Sequence, residues 1–299
     1  MTGHRTAARP ARRGAIPSHR LLAVDIDGTL LNSRDELTAA TRAALHEAAA
    51  AGVRIVLATG RRFGRVLPLV EPLKLDAPLV LSSGALVKCP LSHETLYHAE
   101  LSPTTVRQML AIIAREGYEA VLYADTYAQG FEYYCTRVET GAPLLDEFLA
   151  LNQPWERVQS DLMTNPPSAV FAAFAMGTRD DMLALSDVLQ AGMPGQLATH
   201  VLRSPRYRGY MCEIARTDVS KWSAVARLAE EWAIARREIC AVGDDVNDVP
   251  RIEAAGLGVA VGNALPEVKQ AADLVVGRHD EDGLVDVIRH LIDGSDANA

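Results

Sequence analysis

The stretch Asp25-Ile26-Asp27-Gly28-Thr29-Leu30 places two carboxylates one residue apart at the end of a short apolar run, Leu21 to Ile26. If that run is a strand, side chains at i and i+2 share a face, so both acids can look into one cleft. There one carboxylate can attack an electrophile while its neighbour moves a proton. An ordinary strand-to-turn exit rich in Asp and Gly has the same composition, so these six residues alone leave both readings open. Farther on, Gly243-Asp244-Asp245-Val246-Asn247-Asp248 follows another apolar run and holds three carboxylates and an amide within five residues. Such crowding of like charge is costly without a cation, and oxygen donors of this kind suit Mg²⁺. The alternating acids, central Gly and distal Glu of a calcium loop are absent. Thr59-Gly60-Arg61 follows a third apolar run with a hydroxyl and main-chain amides, which suits a phosphate and equally suits a plain helix start. Lys221, after Ser220 at the start of a helical stretch, taken singly is an ordinary solvated lysine.

The elements around these residues would bring them to one edge. Leu21 to Ile26, Val53 to Ala58 and Pro78 to Leu81 read as buried strands. Between them come a helix from Thr38 to Ala51, stopped at Gly52, and another that starts near Arg62 and is closed by Pro72. The alternation resumes late in the chain: helix Ser220 to Trp232, strand Glu238 to Val242, helix Val246 to Ala255, strand Leu257 to Val261 and an amphipathic helix Asp282 to Ile292. This is the pattern of an α/β fold with a doubly wound, mostly parallel sheet, whose ligands bind beyond the carboxyl ends of the strands. Residues 87–210 differ, with aromatic and β-branched runs at Tyr118 to Tyr123, Phe131 to Cys135 and Ala169 to Ala175. Helices are expected from Pro103 to Arg115, capped by Ser102, and around Asp180 to Gln190. The division predicted is a core of 21–86 and 211–299, an inserted α+β domain over 87–210, and a disordered basic extension over 1–20.

The chain has 299 residues, of which 48% are hydrophobic, enough for a substantial core. Its net charge is −8, and because the first twenty residues hold five arginines and no acid, the remainder carries −13. An acidic body argues against nucleic acid as the main partner. Four widely spaced cysteines form no zinc or redox motif, and no apolar run is long enough to span a membrane. A cytoplasmic protein with no membrane partner is the expectation; oligomeric state is not readable from these features.

With these residues in this order, the chain resembles the haloacid dehalogenase (HAD) superfamily, specifically its Cof-like phosphatase branch, which carries a large α/β cap after the third core strand. Asp25 to Leu30 looks like the first motif of that family, Thr59-Gly60-Arg61 the second, Lys221 the third and Gly243 to Asp248 the fourth. Gly262-Asn263-Ala264 resembles a loop that follows the fourth. The resemblance implies that Asp25 is a nucleophile forming an aspartyl-phosphate, and that Asp27 protonates the leaving alkoxide and then activates water. It further implies Mg²⁺ held by Asp25, Asp244 and the Asp27 carbonyl with Asp248 in support, and phosphate held by Thr59, Gly60, Lys221 and Asn247. Two departures stand out: Ser82-Ser83-Gly84-Ala85 replaces the usual Asn-Gly-Ala, and Trp222 replaces a common Gly after the lysine.

The function expected is Mg²⁺-dependent hydrolysis of a small phosphorylated metabolite, such as a sugar phosphate, with the cap excluding bulk water. A phosphomutase of the same superfamily and a non-catalytic protein binding a phosphorylated ligand are the alternatives, the intact Asp25 and Asp27 weighing against the latter. A dinucleotide-binding dehydrogenase is weaker, because the first turn lacks the glycine fingerprint. The arginines Arg203, Arg206 and Arg208 in the inserted region are read as solvated, with a substrate contact as the second reading.

Overall fold

The structure, a computed structural model, describes residues 19–203 and 206–293. Most of the basic extension expected over 1–20 lies outside the described residues; Arg20 is inside them, and its N–H donates to Glu238 O at 2.7 Å.

The apolar run becomes β1 (Leu21–Asp25), with every residue buried, as a strand covered on both faces requires. The chain then winds tightly through Ile26–Leu30 before α1 (Ala39–Ala50), whose N-terminus is capped by the Thr38 hydroxyl accepting from Thr41 N–H. β2 (Arg54–Ala58), α2 (Phe63–Val70) and β3 (Leu79–Leu81) complete the first alternation. A hairpin follows, β4 (Leu86–Lys88) and β5 (Thr95–His98).

The inserted region runs through α3 (Pro103–Arg115), β6 (Val121–Ala124), β7 (Tyr133–Cys135), α4 (Pro143–Leu151) and β8 (Glu156–Val158). It continues with β9 (Val170–Gly177), α5 (Arg179–Gly192), β10 (Leu197–Leu202) and β11 (Tyr210–Arg216). Ser102 caps α3 as expected, its hydroxyl accepting from Thr105 N–H. The chain returns as α6 (Lys221–Glu231), β12 (Ile239–Gly243), α7 (Val249–Ala254), β13 (Leu257–Ala260), α8 (Pro266–Ala271), β14 (Leu274–Val275) and α9 (Gly283–Asp293). The helix expected from Val246 begins as a tighter turn over Val246–Asp248, and α7 starts only at Val249, with Pro250 in its first turn where a missing N–H costs nothing.

Two sheets result. The first has eight strands in the order β14-β13-β12-β1-β2-β3-β4-β5, and the second has six in the order β10-β11-β9-β6-β7-β8. β1 is parallel to both β12 and β2, at the point where strand order reverses, and antiparallel pairing enters the first sheet only at β4 and β5. This is the expected doubly wound, mostly parallel core with an α+β cap. Sheet membership moves the boundaries proposed at 87 and 210. Position 87 falls inside β4, which with β5 still belongs to the core sheet, and β11 carries the cap sheet on to Arg216. The hairpin was hidden because its strands are three and four residues long, too short for a readable period.

One face of the cap sheet is covered by α3 and α5, which bury Val106, Met109, Ile113, Leu185 and Leu189 against Leu122, Ala173 and Ile214. On the other side, Tyr133, Phe148 and Phe174 belong to the same continuous apolar cluster as Leu57 and Phe63 of the core. All four cysteines are free thiols, and among the described residues no helix is long and apolar enough to cross a membrane.

Candidate active site

Because β1, β2 and β12 are parallel and in register, with Asp25 opposite Ala58 and Val24 opposite Val242, their carboxyl ends open at one edge. Asp25 ends β1, Thr59 follows β2, and Asp244 follows β12. Gly28 makes the turn between them possible: its φ is +72°, and a Cβ there would run into the Asp244 carboxylate. Gly84 plays the same part for Lys221, since at φ +106° it leaves room for the Ser220 carbonyl that begins α6. The Ser220 hydroxyl accepts from Ser223 N–H, which fixes the first turn of α6 and with it the root of Lys221.

Lys221 is almost fully buried and joins three separate segments. Its Nζ donates to Asp25 Oδ1, to Asp248 Oδ1 at 2.9 Å and to Asn247 Oδ1 at 3.0 Å. Asp248 also takes a hydrogen bond from Arg251 Nη2 at 2.9 Å, and Arg251, with no exposed surface, donates to Val242 O at 3.0 Å. Carboxylate oxygens of Asp25, Asp244 and Asp248 all lie within 4.8 Å of one another.

Electrostatics distinguish these acids. Burial and then Asp248 push the Asp25 carboxyl well above its ordinary range, while Lys221 and Arg251 pull it back. Asp248 is pushed the same way by burial, but Arg251 and Lys221 together hold it below the usual carboxylate value. Burial pushes Asp244 up to about 6; a hydrogen bond from Thr29 Oγ1 at 3.0 Å opposes the shift, and Asp248 and Asp245 add to it. Burial pulls the Lys221 ammonium down, but Asp25 and Asp248 outweigh it and keep the group charged. With Asp248 already neutralised by two cations, Asp25 and Asp244 are the under-compensated pair. A hard divalent cation fits this donor set, because among the described residues the candidate ligands grouped here are all carboxylates.

Asp27 stands apart. Its carboxylate accepts from Thr59 Oγ1 at 2.9 Å and pairs with Arg61, whose Nη2 also donates to Asp35 Oδ1 at 2.8 Å. Its side chain is not in the acidic triad. Thr59 is fully buried, with its hydroxyl giving to Asp27 and taking from Arg61 N–H at 3.0 Å, while Gly60 is exposed beside it. Ser83, at φ +55°, donates its N–H to Thr59 O at 3.1 Å, so the departure at 82–85 still packs against the second motif. Trp222 points the other way, packing on the apolar cluster of Leu21, Val56 and Ile234 with the Arg236 guanidinium 5.5 Å from its ring centre.

Three contributors escaped the sequence reading. Arg251 lies three residues after Asp248, a spacing that puts both on one helical face and could have marked the pair. Thr29 had no signal beyond lying in the first motif. Asn263 was noted only as part of a loop; its Nδ2 donates to Gly28 O at 2.8 Å, and its Oδ1 accepts from His279 N–H, bracing the turn that carries Asp27.

Comparison with known proteins agrees with this geometry. Residues 22–288 match the model of the haloacid dehalogenase-like hydrolase family. The chain is 29% identical over 287 residues to the phosphatase YwpJ of Bacillus subtilis, covering 91% of this chain and 100% of that one. It is 30% identical over 290 residues to the putative phosphatase YxeH of the same organism, covering 92% and 98%. A solved haloacid dehalogenase-like hydrolase from Bacteroides thetaiotaomicron superposes with a TM-score of 0.73 at 27% identity, covering 91% of this chain and 99% of the other. From one match that spans both halves of the core and the cap between them, we conclude that the chain belongs to the haloacid dehalogenase-like hydrolase family, in its Cof-like branch, as a HAD-type phosphoric monoester hydrolase.

Proposed function

We propose that the chain hydrolyses a small phosphorylated metabolite in two steps, with Asp25 as the nucleophile and Asp27 as the acid and then the base; Asp25, Asp244 and the Asp27 carbonyl would hold Mg²⁺, with Asp248 in support. The observation that carries this reading is the convergence on Lys221 of Asp25, Asn247 and Asp248, of which Asp25 is 196 residues away in the chain. Bound there, Mg²⁺ would supply positive charge that offsets repulsion between a carboxylate and a phosphate dianion.

A carboxylate oxygen of Asp25 attacks phosphorus, and the bond from phosphorus to the ester oxygen breaks. Asp27 gives its proton to the departing alkoxide. It then takes a proton from the water that attacks the aspartyl-phosphate, and the bond from phosphorus to Asp25 breaks to release inorganic phosphate. Lys221 fixes the Asp25 carboxylate through Oδ1, and Thr59, Gly60, Lys221 and Asn247 would hold the phosphoryl group. The Arg61 pair must loosen for Asp27 to reach the ester oxygen. Mixing enzyme with a phosphate ester and quenching within one turnover tests the scheme. A phosphoryl group should be found on Asp25, and should accumulate in Asp27→Asn if transfer outpaces hydrolysis there. Turnover by Asp25→Asn at the wild-type rate would refute it.

A further inference from the structure

Residues 59–64 lead out of β2 and begin α2, and their contacts divide in the middle. The first three surround the acid of the first motif. Thr59 Oγ1 donates to Asp27 Oδ2 at 2.9 Å and accepts from Arg61 N–H, while the Arg61 guanidinium pairs with both Asp27 and Asp35. Gly60 is exposed between them. The next three all hold the cap. Arg62 donates to Glu132 Oε2 and Asn152 Oδ1, both at 2.7 Å, and Gly64 N–H donates to Glu132 Oε1 at 2.8 Å. Phe63 meets Tyr127 edge to face with ring centres 4.7 Å apart, and Tyr127 stacks on Trp155 at 5.4 Å.

Glu132 lies in the cap and takes no part in the chemistry proposed above, yet its carboxylate is bonded twice to the segment that holds Asp27. Glu132 and Arg62 are both buried, where a charged hydrogen bond is strong and costly to lose. The fit is close: a Cβ at Gly64 would come within 2.8 Å of Glu132 Oε2 and 3.3 Å of the Tyr127 ring. On the core side, Ser82 N–H ties the segment by donating to Arg61 O at 3.1 Å. Arg61 and Arg62 are joined by one planar peptide unit, so a shift imposed on the second is passed to the first with only two soft dihedrals per residue to absorb it.

Resting on the phosphatase reading, we propose that Glu132 is a positioning residue for the reaction: by fixing Arg62 and the Gly64 amide, the cap sets where Thr59 and Arg61 hold the Asp27 carboxyl relative to the leaving oxygen. The docked cap then does more than cover the cleft. It places the proton donor, for which a displacement of about 1 Å can cost roughly a hundredfold in rate. An alkyl phosphate depends on that proton because an alkoxide leaves poorly, whereas p-nitrophenolate departs without it.

The test compares kcat/KM of the wild type, Glu132→Gln and Gly64→Ala on an alkyl phosphate and on p-nitrophenyl phosphate, with the Mg²⁺ shift in thermal unfolding measured alongside. Glu132→Gln keeps the shape of the side chain and one oxygen acceptor but removes the charge that Arg62 meets. It is expected to lower kcat/KM roughly tenfold or more on the alkyl ester and less than about threefold on p-nitrophenyl phosphate. The Mg²⁺ shift should stay as in the wild type, because Asp25 and Asp244 are carried by other segments. Should Glu132→Gln fail to fold, Gly64→Ala keeps the test open, since its methyl group displaces the Glu132 carboxylate and should give the same ester-dependent loss. Equal losses on both esters, none on either, or a lost Mg²⁺ shift would make Glu132 a structural tie and overturn the inference while leaving the phosphatase reading intact. A wild type that turns over no phosphate ester would remove the reading on which it rests.

Discussion

Two charge clusters, one at the ends of the core strands and one where cap meets core, are built on opposite terms. At the carboxyl ends of the core strands, three carboxylates (Asp25, Asp244 and Asp248) face two cations, Lys221 and Arg251. Where cap meets core, Arg62 donates to Glu132 Oε2 and Asn152 Oδ1, both at 2.7 Å, and Gly64 N–H donates to Glu132 Oε1 at 2.8 Å. The second cluster is neutral, with both Glu132 oxygens and the Arg62 fork engaged; the Tyr133 ring lies 5.1 Å from that guanidinium. Burial still pushes Glu132 upward, but Arg62 and the Gly64 amide oppose it. A balanced buried pair holds two parts together, whereas a cluster with one acid too many is under-compensated until a cation arrives.

That contrast can be broken at its strongest point first. Asp25→Asn is expected to lower kcat by roughly 10⁴-fold or more, over 5 kcal/mol of barrier, while thermal unfolding without metal stays near or above wild type because an uncompensated acid is gone. Steady-state kinetics beside calorimetry would show whether activity and stability separate in this way. At the balanced cluster the order reverses. Arg62→Ala leaves Glu132 buried without its partner and should cost about 3–5 kcal/mol in denaturant unfolding, a larger stability loss than Asp25→Asn or Asp244→Asn.

Metal titration sharpens the comparison. At about 100 times its Kd, Mg²⁺ should stabilise the wild type by about 2.7 kcal/mol, and Asp244→Asn should lose most of that gain. Arg62→Ala, though less stable, should keep it; an equal Mg²⁺ shift in wild type and Asp244→Asn would sink the assignment of Asp244.

The smallest expected effect concerns pH. Burial makes Glu213 bind its proton more tightly when folded, raising it from its ordinary value of 4.5 to about 7. Its contribution is therefore fully present below about pH 4.5 and is lost as pH rises through 7, so stability should decline across that window. Lys221, Tyr123 and the cross-strand His200 are the titratable neighbours, and His200 is exposed. Comparing urea unfolding of wild type and Glu213→Gln at pH 5 and pH 8 isolates the effect: the decline should be shallower in the variant.

Much of this was legible in the chain. Buried strands in a doubly wound sheet announce themselves as apolar runs such as Leu21 to Val24, and the acids at their ends are local facts of order and spacing. Helix starts at Thr38, Ser102 and Ser220 were readable because a cap is chosen by the few residues around it. The β4–β5 hairpin and the late edge of the cap at Arg216 were not, since short strands take their sheet from whatever neighbour is available. Arg62 was read only as the start of a helix, and Glu132 was not singled out at all. They are 70 residues apart, and neither has meaning without the other.

By itself, then, the sequence determined which residues could do chemistry and at which strand ends they sit, because period, capping and turn preference act over a few residues. Tertiary structure alone decided how charge is distributed among them: that Asp248 is neutralised by Lys221 and Arg251, and that Asp244 is not. Electrostatic environment depends on what lies within a few ångströms in space, and here those neighbours are often a hundred or more residues away along the chain.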